Sequence, residues 1–428
     1  MTEWTTASMM RVLSRQPDCR PEPWPCRWPR PVLGWLVLLT HVLPTSVAAE
    51  IQPVPRTVIS VDGPRFAATL STVDQDGSLT FAVDQQPRPM ALADLVVWGS
   101  PCEGPSGCQV LTTEGSVLAA QQIRTVGQQL WIETSLAGPI TVPLDAVCSI
   151  VFQPSGDPLR RDPWTMHGDA ARPDTDQLIL ANDDTVTGTV VGIDPDHVEL
   201  DTPHGDVRIA ADRIALLQFQ AAPGQPVDQG PPGILVGWYD GTLMHVRSLV
   251  LTTSVQATLR CGARVSGGQP ADLVCLQPLG GRVVYLSDLR AASYRHVPYL
   301  ALPWPLHRDR NALGGRLRAG GQLALKGLGM HSAARLAFRL NEPFRRFEAD
   351  LAIDDQAGHK GSVQFRVLTH VGATWTAAYQ SPIVCGGADP IPLAVDLTSA
   401  DAICLLVDFA DRGDELDYAN WLNARLVR

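Results

Sequence analysis

The sequence predicts an all-β protein: small barrel-like repeats followed by a terminal antiparallel sandwich. Three observations carry this. Apolar and polar residues alternate with period two through 334–340, 346–353, 362–369, 391–397 and 402–407, the pattern of strands with one buried face. Proline is abundant, 35 residues against 36 glycines in a chain of 428, and each proline removes a backbone donor and fixes φ, which works against long helices. No amphipathic helical run stands out.

Taken in order, residues 1–49 read as a secretory signal peptide. Arg27 and Arg30 precede an apolar run over 32–39, and Val47-Ala-Ala49 before Glu50 supplies the small residues of a cleavage site. The apolar run is far shorter than the ~20 residues a spanning helix needs. No later segment is apolar enough to span, so a secreted or periplasmic protein without a membrane span is expected. Removing the leader takes five arginines and three acids, leaving 29 basic against 41 acidic side chains. The net charge moves from −10 to −12, which argues against a nucleic-acid partner, whose binding rests on phosphate neutralisation. Seven cysteines remain after cleavage. In an oxidising compartment Cys102 with Cys108, Cys261 with Cys275, and Cys385 with Cys404 are candidate disulfides; buried thiols are the alternative.

The next stretch is repetitive. Residues 183–219 show the unit best: short one-faced strands separated by tight turns at 194–196 and 203–206. Similar outlines recur at 62–98, 114–152 and 240–294, a spacing of about forty residues that suits a repeat array. The strand rhythm is similar to that of SH3-like or Sm-like barrels, a likeness that carries no function. The expected layout is repeat units over 50–158, a linker at 159–176, a unit at 177–222, a second linker at 223–233, a unit at 234–285, and a terminal domain over 286–428. Leu302-Pro-Trp-Pro305 is expected to form the first edge strand of the terminal domain, since proline is confined to edges.

Four ordered motifs mark that domain: Lys326-Gly-Leu-Gly-Met-His331, a Phe347 strand ending in Asp354-Asp355, Gly361-Ser-Val-Gln-Phe-Arg-Val367, and Asp417-Tyr-Ala-Asn-Trp-Leu-Asn-Ala-Arg-Leu426. Together they resemble the NPCBM/NEW2 domain, a carbohydrate-binding module of the galactose-binding-like β-sandwich (jelly roll) class. The resemblance covers about a third of the chain and departs twice. Tyr418 stands where the family usually carries His, and Thr369-His370-Val371 stands where an Asp-Gly turn is common. It implies that His331, Asp354, Asp355, Asp417, Asn420 and Trp421 lie at one end of the sandwich as a carbohydrate-binding site, with Trp375 and Tyr379 secondary.

Sugar recognition asks for carboxylates and amides that bond hydroxyls, and for an aromatic face against the C–H surface of the ring. Each candidate also has a structural alternative: Trp421 as a core plug, His331 bonded to a nearby carbonyl. Asp408, Asp411 and Asp414 crowd one loop with hard oxygen ligands, so calcium is the one cofactor considered, against a solvated acidic loop. Asp74-Gln-Asp76-Gly77 opens like a calcium loop but lacks the closing glutamate and reads as a β-turn. No Gly-x-Ser-x-Gly elbow and no His-Glu-x-x-His helix is present. The expectation is an exported, non-catalytic binder of a glycan or cell-surface polysaccharide. Two alternatives stand beside it: a secreted hydrolase with a C-terminal targeting module, and a structural or protein-interaction scaffold that has lost sugar binding.

Overall fold

A computed structural model describes residues 54–104, 107–166, 173–220, 233–299 and 301–428. The leader expected over 1–49, and the second linker except Gly233, lie outside the described residues. Among the described residues no helix is long and apolar enough to cross a membrane.

Four small units repeat one plan, an antiparallel meander followed by a 3-10 turn and a last strand that returns to pair with the first. In the first unit Arg56–Ser60 pairs with Phe66–Val73 and, after the turn Leu92–Asp94, with Leu95–Gly99. The second unit builds the same arrangement from Cys108–Thr112, Val117–Ala120 and Val147–Val151. In the third, Asp176–Leu180 pairs with Thr185–Ile193 and Ile214–Gln218. In the fourth, Ile234–Trp238 pairs with Leu243–Leu251 and Leu273–Pro278. The small repeat units expected from strand rhythm are therefore present. Their last strands also pair with each other, Val147–Val151 with Ile214–Gln218 and Leu273–Pro278 with Leu95–Gly99. One apolar core runs through all four, including Trp98, Leu118, Leu217 and Trp238.

The terminal domain is a sandwich of two antiparallel sheets. One is ordered His307–Arg308, Gly327–His331, Tyr418–Val427, Arg346–Ile353, Ile391–Asp396; the other Ser293–His296, Ala334–Arg339, Ala402–Phe409, Ser362–Val371, Thr374–Cys385. Phe338, Phe347, Phe365, Leu405 and Trp421 fill the space between them.

The structure corrects several details. The linker expected over 159–176 holds helix α1, Pro158–Thr165, capped by Asp157, whose carboxylate accepts from Leu159 N at 3.0 Å. The sandwich begins before residue 286, because Val283–Tyr285 pairs with the final strand. Leu302 to Pro305 forms no strand; the edge position belongs to Ser293–His296, which has no proline to break its ladder. None of the three candidate disulfides forms, since Cys102, Cys108, Cys261, Cys275 and Cys404 are free thiols. The Asp74–Gly77 segment is a turn, with Gly77 at φ +81° and Ser78 N donating to Asp76 Oδ1 at 3.0 Å.

Candidate functional site

His331 closes the strand Gly327–His331 and sits in register with Tyr418, the first residue of the final strand. That register places two rings at the end of one sheet. Trp304 lies flat on His331, with centroids 4.4 Å apart and planes 4° apart, and Tyr418 is 5.9 Å from the Trp304 ring. The loop that carries Trp304 is held at its backbone: Trp304 N donates to His296 Nδ1 at 3.1 Å, and Trp304 O accepts from the Tyr294 hydroxyl at 2.9 Å. Flanking prolines further limit this backbone. Trp304 is thus a preset, half-exposed aromatic. Beside the same acidic loop, Tyr299 and Phe409 meet edge to face at 6.3 Å and remain 62% and 47% exposed.

The polar groups here are His331, His296, Asp414 and Asp417. Asp417 is buried; its Oδ1 accepts from Ser362 N at 2.8 Å, while Oδ2 has no partner among the described residues. Burial, reinforced by Asp414 and Asp411, pushes the Asp417 carboxyl up to about 7. Burial also lowers His331 to about 4, helped by His296 and opposed by Asp414, so its imidazole is neutral near pH 7. Of the six residues expected at the sugar site, His331 and Asp417 lie at this aromatic end.

The other four have different employment. Asp354 is fully buried and accepts from Asn420 Nδ2 at 2.7 Å, Asn311 Nδ2 at 3.1 Å, Arg318 N at 3.1 Å and Gln356 N at 3.1 Å. Asn420 is buried in that same network. Asp355 accepts from Gly320 N at 2.9 Å and Gly321 N at 2.8 Å, pinning the turn between Leu317–Ala319 and Gln322–Ala324. Trp421 is 0% exposed, with the Phe347 ring at 6.2 Å and the Phe365 ring at 4.9 Å. An open stacking role for Trp421 is thereby corrected: a strand paired on both edges sends alternate side chains into the core, and Trp421 is one of them.

Trp375 and Tyr379 belong to the edge strand Thr374–Cys385. Trp375 packs on His370, which pairs with Ala402; Ala334, three residues after His331, pairs with Val407 near the other end of the same strand, Ala402–Phe409. Trp375 therefore lies at the opposite end from Trp304. The three loop aspartates do not form a calcium cage. Asp408 pairs with Arg366 at 3.3 Å, Asp411 accepts from the Ser362 hydroxyl, and the charge of Asp414 acts on His331 and His296. Among the described residues no group of three or more His, Cys, Asp or Glu could hold a metal ion, so this donor set does not fit calcium. Trp304, Tyr299, Phe409 and His296 were not expected from the sequence. The available signal was a tryptophan between two prolines, a context that favours an ordered loop over a strand.

Residues 282–427 match the NPCBM/NEW2 domain model. This chain carries an NPCBM/NEW2 domain. A Renibacterium salmoninarum protein, provisionally named endo-alpha-N-acetylgalactosaminidase, is 30% identical over 114 residues. That match covers 27% of this chain and 7% of the relative, so the chain spans only a small fraction of the relative's length. Among solved structures, CBM51 from Clostridium perfringens GH95 in complex with methyl-galactose is similar at 20% identity and TM-score 0.30, covering 34% of this chain and 99% of that one. CBM51-2 in complex with GlcNAc, with INT domains, from Clostridium perfringens ZmpB is similar at 22% identity and TM-score 0.30, covering 42% and 37%.

Proposed function

We propose that the NPCBM/NEW2 domain of this chain binds a glycan end group, without catalysis, at the end of the sandwich formed by Trp304, His331, Tyr418, Asp414 and Asp417. The observation that carries this is Trp304 held flat on His331 at a half-exposed position, with backbone anchors on both sides. A fixed aromatic offers the C–H face of a sugar its surface at little entropic cost, and half-exposed Asp414 supplies a carboxylate that accepts from hydroxyls, with buried Asp417 behind it. The same reading places the protein outside the cytoplasm, where such glycans are met. A single shallow site of this kind binds weakly, and retention on a polysaccharide comes from several copies acting together.

The test is a glycan array with the whole chain, followed by calorimetry on the glycans it retains. Trp304→Ala should weaken binding at least about tenfold, the loss of one stacking contact, with circular dichroism unchanged. A folded Trp304→Ala variant that binds as well as the parent, or a folded parent that retains no glycan, rejects the assignment.

A further inference from the structure

A cavity of about 270 Å³ opens where the second and fourth repeat units meet the sandwich. Leu235, Leu243 and Leu325 form its apolar wall, and Glu114, Arg316 and Lys326 are among its charged residues. At its edge lies a cluster of buried and half-buried charges. Three guanidiniums, Arg161, Arg316 and Arg318, stand near two carboxylates, Glu103 and Asp162, which among the described residues pair with Arg161 and Arg318 only. Arg161 takes Glu103 at 2.7 Å; Arg318 takes Asp162 at 2.6 Å and also Glu103. Among the described residues Arg316 is left without an ion pair, and the one hydrogen bond of its side chain reaches Thr165 Oγ1 at 3.5 Å. Burial accordingly pulls Arg316 below the usual arginine range. Arg316 is half-buried, and most of its five N–H donors have no protein partner among the described residues, so they are open to a ligand in the cavity.

Among the described residues the other charged groups on the cavity make no ion pair with Arg316. Lys326 is matched by Asp288 at 2.5 Å and Asp309 at 2.6 Å. Among the described residues Glu114 makes no ion pair with Arg316; its Oε1 accepts from Cys261 N at 3.4 Å, and its carboxylate lines the cavity, where hydroxyls can reach it. His245 lies 3.0 Å from Glu114 O through Nδ1, and burial lowers its pKa, so it adds no competing positive charge.

We propose that this cavity is a second binding site, for a small hydroxylated carboxylate of sugar-acid size, whose carboxylate is held by Arg316 and whose hydroxyls reach Glu114. A guanidinium grips a carboxylate through two parallel bonds, and the leucine wall suits the C–H face of a ring. The volume stands just below the ~300 Å³ lower bound of ordinary small-molecule sites, which limits the ligand to about one ring. The inference does not depend on the terminal glycan site.

Titration calorimetry of the whole chain with glucuronate tests it, with glucose as the ring lacking the carboxylate and acetate as the carboxylate lacking the ring. Glucuronate should bind, and both controls should bind at least about tenfold more weakly. Arg316→Gln should weaken glucuronate at least about tenfold, the usual cost of a lost charge-assisted bond, while Trp304→Ala leaves it unchanged. If Arg316→Gln does not fold, Leu243→Phe fills the cavity from its apolar wall and should abolish binding. No binding of glucuronate by the parent, equal binding of glucose, or undiminished binding by a folded cavity variant overturns the proposal.

Discussion

Two tryptophans of the terminal domain, Trp304 and Trp421, have opposite roles because one lies in a proline-flanked loop and the other in a central strand. Trp421→Ala should cost about 3–5 kcal/mol in urea unfolding, the range for emptying an aromatic core position. A change below 1 kcal/mol would show that the core closes over the gap. Beside them, Asp417 and His331 give opposed pH dependences. The Asp417 pKa is raised from 3.8 to about 7, so its contribution to stability is full at low pH and is lost as pH rises through that window. The His331 pKa is lowered from 6.5 to about 4, so its contribution is absent in acid and appears as pH rises to 6.5. The parent masks both. Asp417→Asn should therefore gain stability relative to the parent between pH 4 and 7, and His331→Asn should lose it relative to the parent between pH 4 and 6.5. Urea midpoints across pH measure this, and parallel profiles for all three proteins would contradict it. Neither shift is legible in the sequence, since both come from burial among groups distant along the chain.

At the scale of elements, strands were the legible part. Alternation marked 346–353 to the residue, and it placed the starts of Ala334–Arg339, Ser362–Val371, Ile391–Asp396 and Ala402–Phe409. Helix α1 was not legible. It is short and contains Pro163, so intrinsic propensity does not announce it. Tertiary contact stabilises it: buried Asp162 accepts from Arg318 Nη1 at 2.6 Å and from Arg316 N at 2.8 Å. Asp162→Ala should destabilise the chain by about 3 kcal/mol, the lower end for breaking a buried pair, because Glu103 remains to partner Arg318. Chemical denaturation checks this, and a neutral effect would mean that α1 does not brace the sandwich. Gly329→Ala tests the terminal domain separately. An added Cβ would meet Arg310 O at 2.3 Å and Asn311 C at 2.3 Å, both backbone atoms, so poor folding is expected and a normal melting curve would refute that close approach.

For the molecule as a whole, repeats and sandwich share a core. Ile59, Val96, Val97, Val274 and Cys275 pack with Val283, Tyr285 and Val427, and Tyr285 OH accepts from Gln277 Nε2 at 2.8 Å. Ion pairs cross the same boundary, Arg282 to Asp62 at 2.6 Å and Arg346 to Asp62 at 3.2 Å. Scanning calorimetry should show one main transition, and an excised 282–428 fragment should melt lower because Val283, Tyr285 and Val427 lose that cover. Two well-separated transitions in the whole chain would count against a shared core. The sequence by itself determined the β class, the repeats and the terminal motifs, because alternation, turn residues and motif spacing are written in neighbouring positions. Only the tertiary structure decided which acids and aromatics converge. Trp304 meets His331 and Arg318 meets Asp162 through folding contacts between separate segments, and the burial that tunes those groups does not exist until the segments meet.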